Sequence, residues 1–246
     1  MRKYILKWLK RVVIIISIIF HSIEVNLYRG NIINKMKKTI YTLYIKRLLD
    51  IIFSILGLIL SLPLLIVAIV LIKLDSPGPL VFTQERVGYN QKTFFVRKLR
   101  TMHTKTHDEF GNKLRDRDRV TKSGKLIRKL SIDELPQLIN IFKGEMSFIG
   151  PRPLLVRYLP YYTEREKHRH DVRPGITGLA QVNGRGFLQW EDRFEFDLFY
   201  VENLSLLLDL KILLKTIKSV FSSEGTSTIR PSDLVDFDVH RQKKAP

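Results

Sequence analysis

Leu48 to Ile72 reads LLDIIFSILGLILSLPLLIVAIVLI, and how this stretch sits decides the fold. Its only formal charge is Asp50, with Lys46 and Arg47 before it and Lys73 after it. An apolar run of this length argues for a bilayer helix rather than a helix of a soluble core. Straight, its 25 residues would reach about 37 Å at about 1.5 Å per residue, enough to cross. Pro63 interrupts it, removing one backbone donor and crowding the preceding turn. The arms on either side of Pro63 would reach roughly 22 and 15 Å, each short of a hydrocarbon core of about 30 Å. Two readings compete. The helix either crosses with a kink or enters, bends at Pro63 and returns to the same side. Lys35, Lys37, Lys38, Lys46 and Arg47 precede it, and Lys73, Arg86, Lys92, Arg97, Lys98 and Arg100 follow. Basic residues on both flanks give the positive-inside rule no preferred direction, as a re-entrant hairpin would require. A kinked span also remains open, since proline is tolerated in membrane helices.

Upstream, Arg2, Lys3, Lys7, Lys10 and Arg11 precede a short apolar block, Val12 to Phe20. No small-residue cleavage site follows, and the block is too short to cross. It reads as an interfacial helix at best, and Met36 is an alternative start. Across 246 residues the chain carries 42 Lys+Arg against 24 Asp+Glu, a net charge of +18. Such an excess points to an anionic partner: lipid head groups, phosphate-bearing substrates or nucleic acid. There is no cysteine, which excludes disulfides and thiolate metal sites.

Downstream, Asp75-Ser-Pro-Gly-Pro79 breaks the chain. Leu80-Val-Phe-Thr and Thr93-Phe-Phe-Val-Arg97 predict a β-hairpin around Gly88-Tyr-Asn90. His103 to Lys122 reads as a polar loop, and Gly124 to Leu130 as a basic helix. In Asp133-Glu-Leu-Pro-Gln-Leu-Ile-Asn-Ile-Phe142, Leu135, Leu138, Ile139 and Phe142 fall on one helical face. Taking Asp133 as N-cap leaves Pro136 in the first turn, where proline is tolerated, and places the carboxylate at the positive end of the helix dipole. Leu154 to Arg169, Glu191 to Val201 and Leu204 to Phe221 are expected helices. The last is apolar with interspersed lysines and suits a membrane interface. Residues after Ser222 read as a polar tail.

Asp133 and Glu134 form an adjacent carboxylate pair that could supply a nucleophile and bind a divalent cation. Taken alone, such a pair also serves simply as a helix cap. Lys98, Arg100, Arg119, Lys125, Arg128, Lys129, Arg152, Arg173 and Arg185 surround it in sequence. Arg152 lies between two prolines and Arg173 precedes Pro-Gly, and rigid loops presenting arginine suit bidentate phosphate recognition. Asp116-Arg-Asp118 mimics a metal-holding Asp-x-Asp, but within Arg115-Asp-Arg-Asp-Arg119 it reads as a self-neutralising loop. His103, His107, His168 and His170 show no ligand spacing, and no phosphate-binding glycine loop is present.

Several runs together resemble one family. They are Lys46-Arg-Leu-Leu-Asp50, Phe82-Thr-Gln-Glu-Arg-Val-Gly88, Arg97-Lys-Leu-Arg-Thr-Met102, Ser131-Ile-Asp-Glu-Leu-Pro-Gln-Leu138, Gly144-Glu-Met-Ser-Phe-Ile-Gly-Pro-Arg-Pro153 and Arg173-Pro-Gly-Ile-Thr-Gly-Leu-Ala-Gln-Val-Asn-Gly-Arg185. They resemble the bacterial sugar transferases, small monotopic polyprenyl-phosphate phosphoglycosyl transferases, over roughly Tyr44 to Phe221. The resemblance implies an α/β, mainly helical fold: a re-entrant membrane helix broken at Pro63, interfacial amphipathic helices, and a small cytoplasmic catalytic domain with a short β-hairpin. Residues 44–73 would be the membrane helix and 74–222 the catalytic domain. They are flanked by an N-terminal extension, 1–43, and a polar tail, 223–246. Where many relatives have Ser before the proline, this chain has Leu62, with Ser61 one residue earlier.

The resemblance also implies a reaction. A sugar-1-phosphate passes from a UDP-sugar to undecaprenyl phosphate, releasing UMP, as the first membrane step of capsule, exopolysaccharide, O-antigen or glycoprotein glycan synthesis. Asp133 would be nucleophile and Mg²⁺ ligand, with Glu134 its partner. Lys98, Arg128, Arg152, Arg173, Arg185 and Asp209 are the expected substrate- and phosphate-binding residues. Expected partners are the two substrates, anionic membrane lipids and downstream glycosyltransferases; a dimer is one assembly left open. The site would face the cytoplasm at the bacterial inner membrane. An inactive membrane scaffold of a glycan-assembly complex is the alternative. A membrane-tethered nucleic-acid binder would also explain the charge, but no nucleic-acid-binding motif is present. The transferred sugar is not specified.

Overall fold

The computed structural model describes residues 39–107, 109–112, 114–184, 188–221 and 235–244. The block Val12 to Phe20, Met36 and Arg185 lie outside the described residues.

Helix α1, Lys46–Asp75, runs continuously through Pro63, entered by a π-helical turn, Tyr41–Ile45. A break at Pro63 is therefore not seen in the hydrogen-bonded pattern. Two residues earlier, the Ser61 hydroxyl donates to the Leu58 carbonyl (3.2 Å). Among the described residues α1 is the one helix long and apolar enough to cross a membrane. Its buried residues are Asp50, Ser54, Ser61, Ala68 and Ile72, which recur at four and seven residues and so share one stripe. Gly57 lies on that stripe, where a Cβ would stand 3.1 Å from Leu138 Cδ1. The remaining faces are exposed and apolar: Ile52, Phe53, Leu56, Ile59, Leu60, Val67 and Leu71 among them. Small residues on the protein side and large aliphatics outside are the pattern of a helix between a domain and lipid.

Both ends of α1 are fastened to the same domain. Arg47 donates to the Ile141 and Phe142 carbonyls (2.7 and 2.8 Å). These are orphan acceptors at the C-terminus of a later helix, where a cation is favoured. Asp50 accepts from the Ser147 hydroxyl and the Phe148 amide. At the other end, Asp75 accepts from the Ser123 amide (2.7 Å). Arg100 donates to Ser76, Pro77 and Pro79, tying down the turn that follows α1.

Strands β1, Val81–Val87, and β2, Thr93–Leu99, form the expected hairpin and are longer than expected. Its turn places Asn90 and Gln91 at positive φ. Helices α2, Asp116–Arg119, and α3, Lys122–Lys129, follow. The acidic residues of α2 pair with Arg115, Arg117 and Arg119, as the reading of a self-neutralising segment requires. Then come α4, Gln137–Lys143, and a short parallel pair, β3 Ser147–Ile149 with β4 Gly175–Thr177.

The expected helix over Leu154 to Arg169 is instead three pieces. A 3₁₀ segment, Val156–Tyr161, contains Pro160; then α5, Glu164–Lys167, starts on a Thr163/Glu166 capping box, and a 3₁₀ turn, His168–His170, closes the run. Proline supplies no amide donor and the capping threonine restarts the helix, so one helix cannot run through. Helices α6, Leu179–Val182, and α7, Trp190–Glu202, lead to α8, Leu206–Phe221. Leu206, Leu207, Leu210, Leu213, Leu214 and Ile217 of α8 are exposed, while Asp209 and Ile212 are buried. An exposed leucine face suits an interface better than a core. The polar tail expected after 222 is corrected in part: Phe237–Lys244 is a helix, α9, and Phe237 is fully buried.

Candidate active site

The carboxylate pair sits in a tight turn just ahead of α4. Ser131 is left-handed (φ 56°) and opens a 3₁₀ turn, Ile132–Glu134. The Glu134 amide donates to Ser131 O and the Leu135 amide to Ile132 O. Asp133 is therefore not the N-cap of α4, as the sequence suggested; Pro136 occupies that position. Pro136 has no amide to complete an α-helical bond, so i→i+3 bonds carry the chain until Gln137. Ile132 anchors the turn, packing with Ala68, Ile72, Leu99 and Ile127. Of the predicted apolar face, Leu138 is buried, while Ile139 and Phe142 are exposed.

Hairpin and turn meet across Lys98. Its ammonium donates to Glu134 Oε1 at 2.5 Å. Asn140, fully buried, holds α4 to β2: its Nδ2 donates to the Phe95 carbonyl and its Oδ1 accepts from the Arg97 amide. Strand alternation sets the opposite wall. Phe82, Gln84 and Arg86 share a face of β1, facing Lys98, Val96 and Phe94 in register. All of these but Phe94, with Glu134, Gln137, Arg152, Pro153, Gly175 and Ile176, line a cleft of about 400 Å³ that is open to solvent. Arg86 donates to Gln84 Oε1 (2.6 Å) and to the Pro153 carbonyl (3.2 Å). Arg152 stands 3.8 Å from Glu134 and is half exposed.

The cleft lining carries three cations, Arg86, Lys98 and Arg152, against one carboxylate. Burial pushes the Glu134 carboxyl upward, but Arg152 and Lys98 outweigh it and hold its pKa below the ordinary value. For Asp133, burial followed by the charge of Glu134 raises the pKa, against the pull of Lys98 and Arg128. The sequence expectation that this position favours the charged carboxylate is thus reversed: Asp133 is not at the N-cap of α4, and burial and the charge of Glu134 raise its pKa. Burial, and next the charge of Arg152, lowers Arg86 to about 10.

The other predicted site residues divide. Arg128 donates to Thr101 (2.7 Å) and acts on Asp133 through its charge. Arg173 donates to the Gly144 carbonyl and lies over the Tyr89 ring, outside the cleft lining. Asp209 belongs to a separate buried group: Tyr41 (2.5 Å), Lys46 (2.6 Å) and Tyr200 (2.8 Å) all donate to it. Arg119, in the basic surroundings of the pair, donates to backbone at His103 and Lys105. Arg86, Gln84, Gln137 and Asn140 were missed. The signal for the first two was the period-2 pattern of Phe82-Thr-Gln-Glu-Arg86, which places polar side chains on the Lys98 face.

No group of three or more acidic or histidine side chains gathers as a metal cage among the described residues. That does not conflict with Mg²⁺, which takes one or two carboxylates and completes its shell with water and substrate phosphates. Asp133 fits such a role. Its half-buried carboxylate faces the charge of Glu134, a repulsion a cation would relieve.

A family model described as "Bacterial sugar transferase" matches residues 41–223. The chain belongs to the bacterial sugar transferase family. It is 50% identical over 181 residues to the uncharacterized sugar transferase EpsL of Bacillus subtilis strain 168, covering 74% of this chain and 89% of that protein. It is 42% identical over 189 residues to the UDP-glucose:undecaprenyl-phosphate glucose-1-phosphate transferase of Caulobacter vibrioides, covering 73% and 71%. It is also 42% identical to the UDP-N-acetylgalactosamine-undecaprenyl-phosphate N-acetylgalactosaminephosphotransferase of Aeromonas hydrophila, covering 74% of this chain and 45% of that longer protein. The expectation of an enzyme, a phosphoglycosyl transferase, is met by this sugar transferase family and by relatives whose names state such activities.

Proposed function

We propose that this sugar transferase moves a sugar-1-phosphate from a UDP-sugar to undecaprenyl phosphate and releases UMP, opening the synthesis of an exported glycan. The observation that carries the reading is Glu134, with Asp133 beside it in the same turn, lining a cleft whose other charges, Arg86, Lys98 and Arg152, are all cationic. The activities of the relatives from Caulobacter vibrioides and Aeromonas hydrophila suggest the substrate classes.

The reaction has two displacements. An Asp133 carboxylate oxygen attacks the β-phosphorus of the UDP-sugar, and the bond from that phosphorus to the bridging oxygen breaks. UMP leaves with the bridging oxygen and its electron pair. A phosphate oxygen of undecaprenyl phosphate then attacks the same phosphorus and displaces Asp133, giving a lipid diphosphate-sugar. Arg86, Lys98 and Arg152 stabilise the charge that develops on the phosphoryl oxygens. Lys98 and Arg152 also keep Glu134 ionised beside Asp133. Mg²⁺, held by Asp133, would neutralise diphosphate charge. A raised Asp133 pKa makes its carboxylate more basic, which favours attack so long as the working pH keeps it ionised.

The proposed membrane arrangement draws its support from the fastening of α1. Arg47 and Asp50 at one end and Asp75 at the other bond to one domain. A straight span would carry these ends to opposite faces of a core about 30 Å thick. This supports a re-entrant α1 with both ends cytoplasmic and the cleft at the inner face of the bacterial inner membrane; the bend at Pro63 is part of the proposal, since α1 is hydrogen-bonded continuously through it. UMP release from a panel of UDP-sugars with undecaprenyl phosphate and Mg²⁺ tests the reading. Release from at least one sugar, abolished by Asp133→Asn, is expected. No release from any would leave the scaffold reading.

A further inference from the structure

Helix α9, Phe237–Lys244, lies beyond residue 223, where the family match ends, yet it packs into the cluster that holds Leu154, the residue after Pro153 of the cleft lining. Phe237 is fully buried among Tyr158, Tyr162, Trp190 and Phe194, with ring centroids 4.9 to 5.6 Å away. Trp190 Nε1 donates to the Val235 carbonyl (3.0 Å), Gln242 to the Tyr161 hydroxyl (2.8 Å), and Arg157 to Asp236 (2.6 Å). His240 meets Glu191, and Arg241 pairs with Glu166 while lying over the Phe237 ring. A surface tail held only by exposed ion pairs would contribute little. A buried aromatic anchor contributes more, because removing it leaves a cavity.

That cavity would open directly behind the phosphate-binding loop. Leu154 belongs to the same buried cluster as Phe237, and its carbonyl accepts from the Val87 amide of β1 (3.1 Å). The preceding carbonyl, Pro153, holds Arg86. Arg169 lies over the Tyr162 and Phe194 rings and donates to the Arg152 carbonyl (2.8 Å) while paired with Asp197. We propose that α9 is a latch and Phe237 a positioning residue: by filling the aromatic cage it fixes the Arg152–Leu154 backbone, and through it the aim of Arg86 and Arg152 at the substrate diphosphate. The proposal rests on the phosphate-holding role given to those arginines above.

The test compares the full chain with a chain ending at Leu234 and with Phe237→Ala, well below the melting midpoint of each. Both should lose at least tenfold in hydrogen-exchange protection at the Val87 amide, while the β1–β2 pairing amides keep theirs. kcat/KM for the UDP-sugar should fall about tenfold, with kcat sharing in the loss because Arg86 and Arg152 act on developing charge. A synthetic peptide of residues 235–246 added in trans should restore both exchange protection and kcat/KM to the shortened chain. Unchanged Val87 exchange and kcat/KM would overturn the latch, as would an activity loss that only tracks the folded fraction and resists the peptide. If the shortened chain does not fold, Phe237→Ala decides by the same two readouts. If the intact chain releases no UMP from any UDP-sugar, the reading of the cleft fails, while Val87 exchange still reports on the latch.

Discussion

Asp133 and Glu134 are neighbours in the chain with opposite electrostatic fates, and this separates their roles. Glu134 has Lys98 at 2.5 Å and Arg152 at 3.8 Å; Asp133 has burial and the charge of Glu134 against it. Asp133→Asn should lower UMP release about a thousandfold or more, some 4 kcal/mol of barrier, in a continuous release assay. The two residues should also move stability in opposite directions. A lowered Glu134 pKa means stability present above its unfolded value and lost as pH falls through the folded one. A raised Asp133 pKa means stability fully present below its unfolded value and lost as pH rises through the folded one. Thermal melts at pH 7 should therefore show Glu134→Gln melting lower than the parent and Asp133→Asn no lower. Because Arg128 draws the Asp133 pKa down, Arg128→Gln should shift the acid limb of the kcat/KM profile to higher pH.

At the scale of elements, α1 has two surfaces with different demands. Its buried stripe is small or polar from Asp50 to Ser61 and apolar at Ala68 and Ile72, which pack with Leu99, Ile127 and Ile132; its other faces are large and aliphatic. Gly57→Leu would drive a side chain into Leu138, where a Cβ alone comes within 3.1 Å. Overpacking of this kind costs about 1–3 kcal/mol, measurable as an earlier denaturant midpoint. The absence of cysteine makes topology accessible to single-site labelling. Thr39→Cys lies ahead of α1 and Leu74→Cys in its last turn, both at exposed positions. With a re-entrant helix, an impermeant thiol reagent should label both from the cytoplasmic side only. Labelling from opposite sides would establish a span instead.

For the whole molecule, charge and apolar surface act together. The net charge of +18 accompanies exposed leucines on α8 and exposed aliphatics around α1. Binding to vesicles containing anionic lipid should exceed binding to neutral ones. The difference should shrink as salt shortens the screening length toward about 3 Å at 1 M. Residual binding in high salt would report the apolar contribution, and Leu210→Glu with Leu214→Glu on the exposed face of α8 should reduce it in a flotation assay.

Patterns local to the chain were legible from the sequence. The apolar run of α1, the hairpin around Gly88, the amphipathic α8 and the carboxylate pair each follow from a period or a motif within a few residues. Proline was legible less well. Pro63 is accommodated in a continuous helix, whereas Pro136 delays α4 and Pro160 helps to divide the expected helix over Leu154 to Arg169. Which outcome a proline has depends on the bonds its neighbours find, and those are tertiary. Tertiary structure also sorted the basic residues. Lys98 and Arg152 reach Glu134, Arg86 joins them through strand register, Arg173 turns to the Gly144 carbonyl, and Asp209 withdraws into a buried group with Lys46. The anchoring of Phe237 was invisible for the same reason. The Asp133 pKa reversal has that origin too: sequence states which charges a chain carries, but burial and distance set the energy of each, and only folding assigns those.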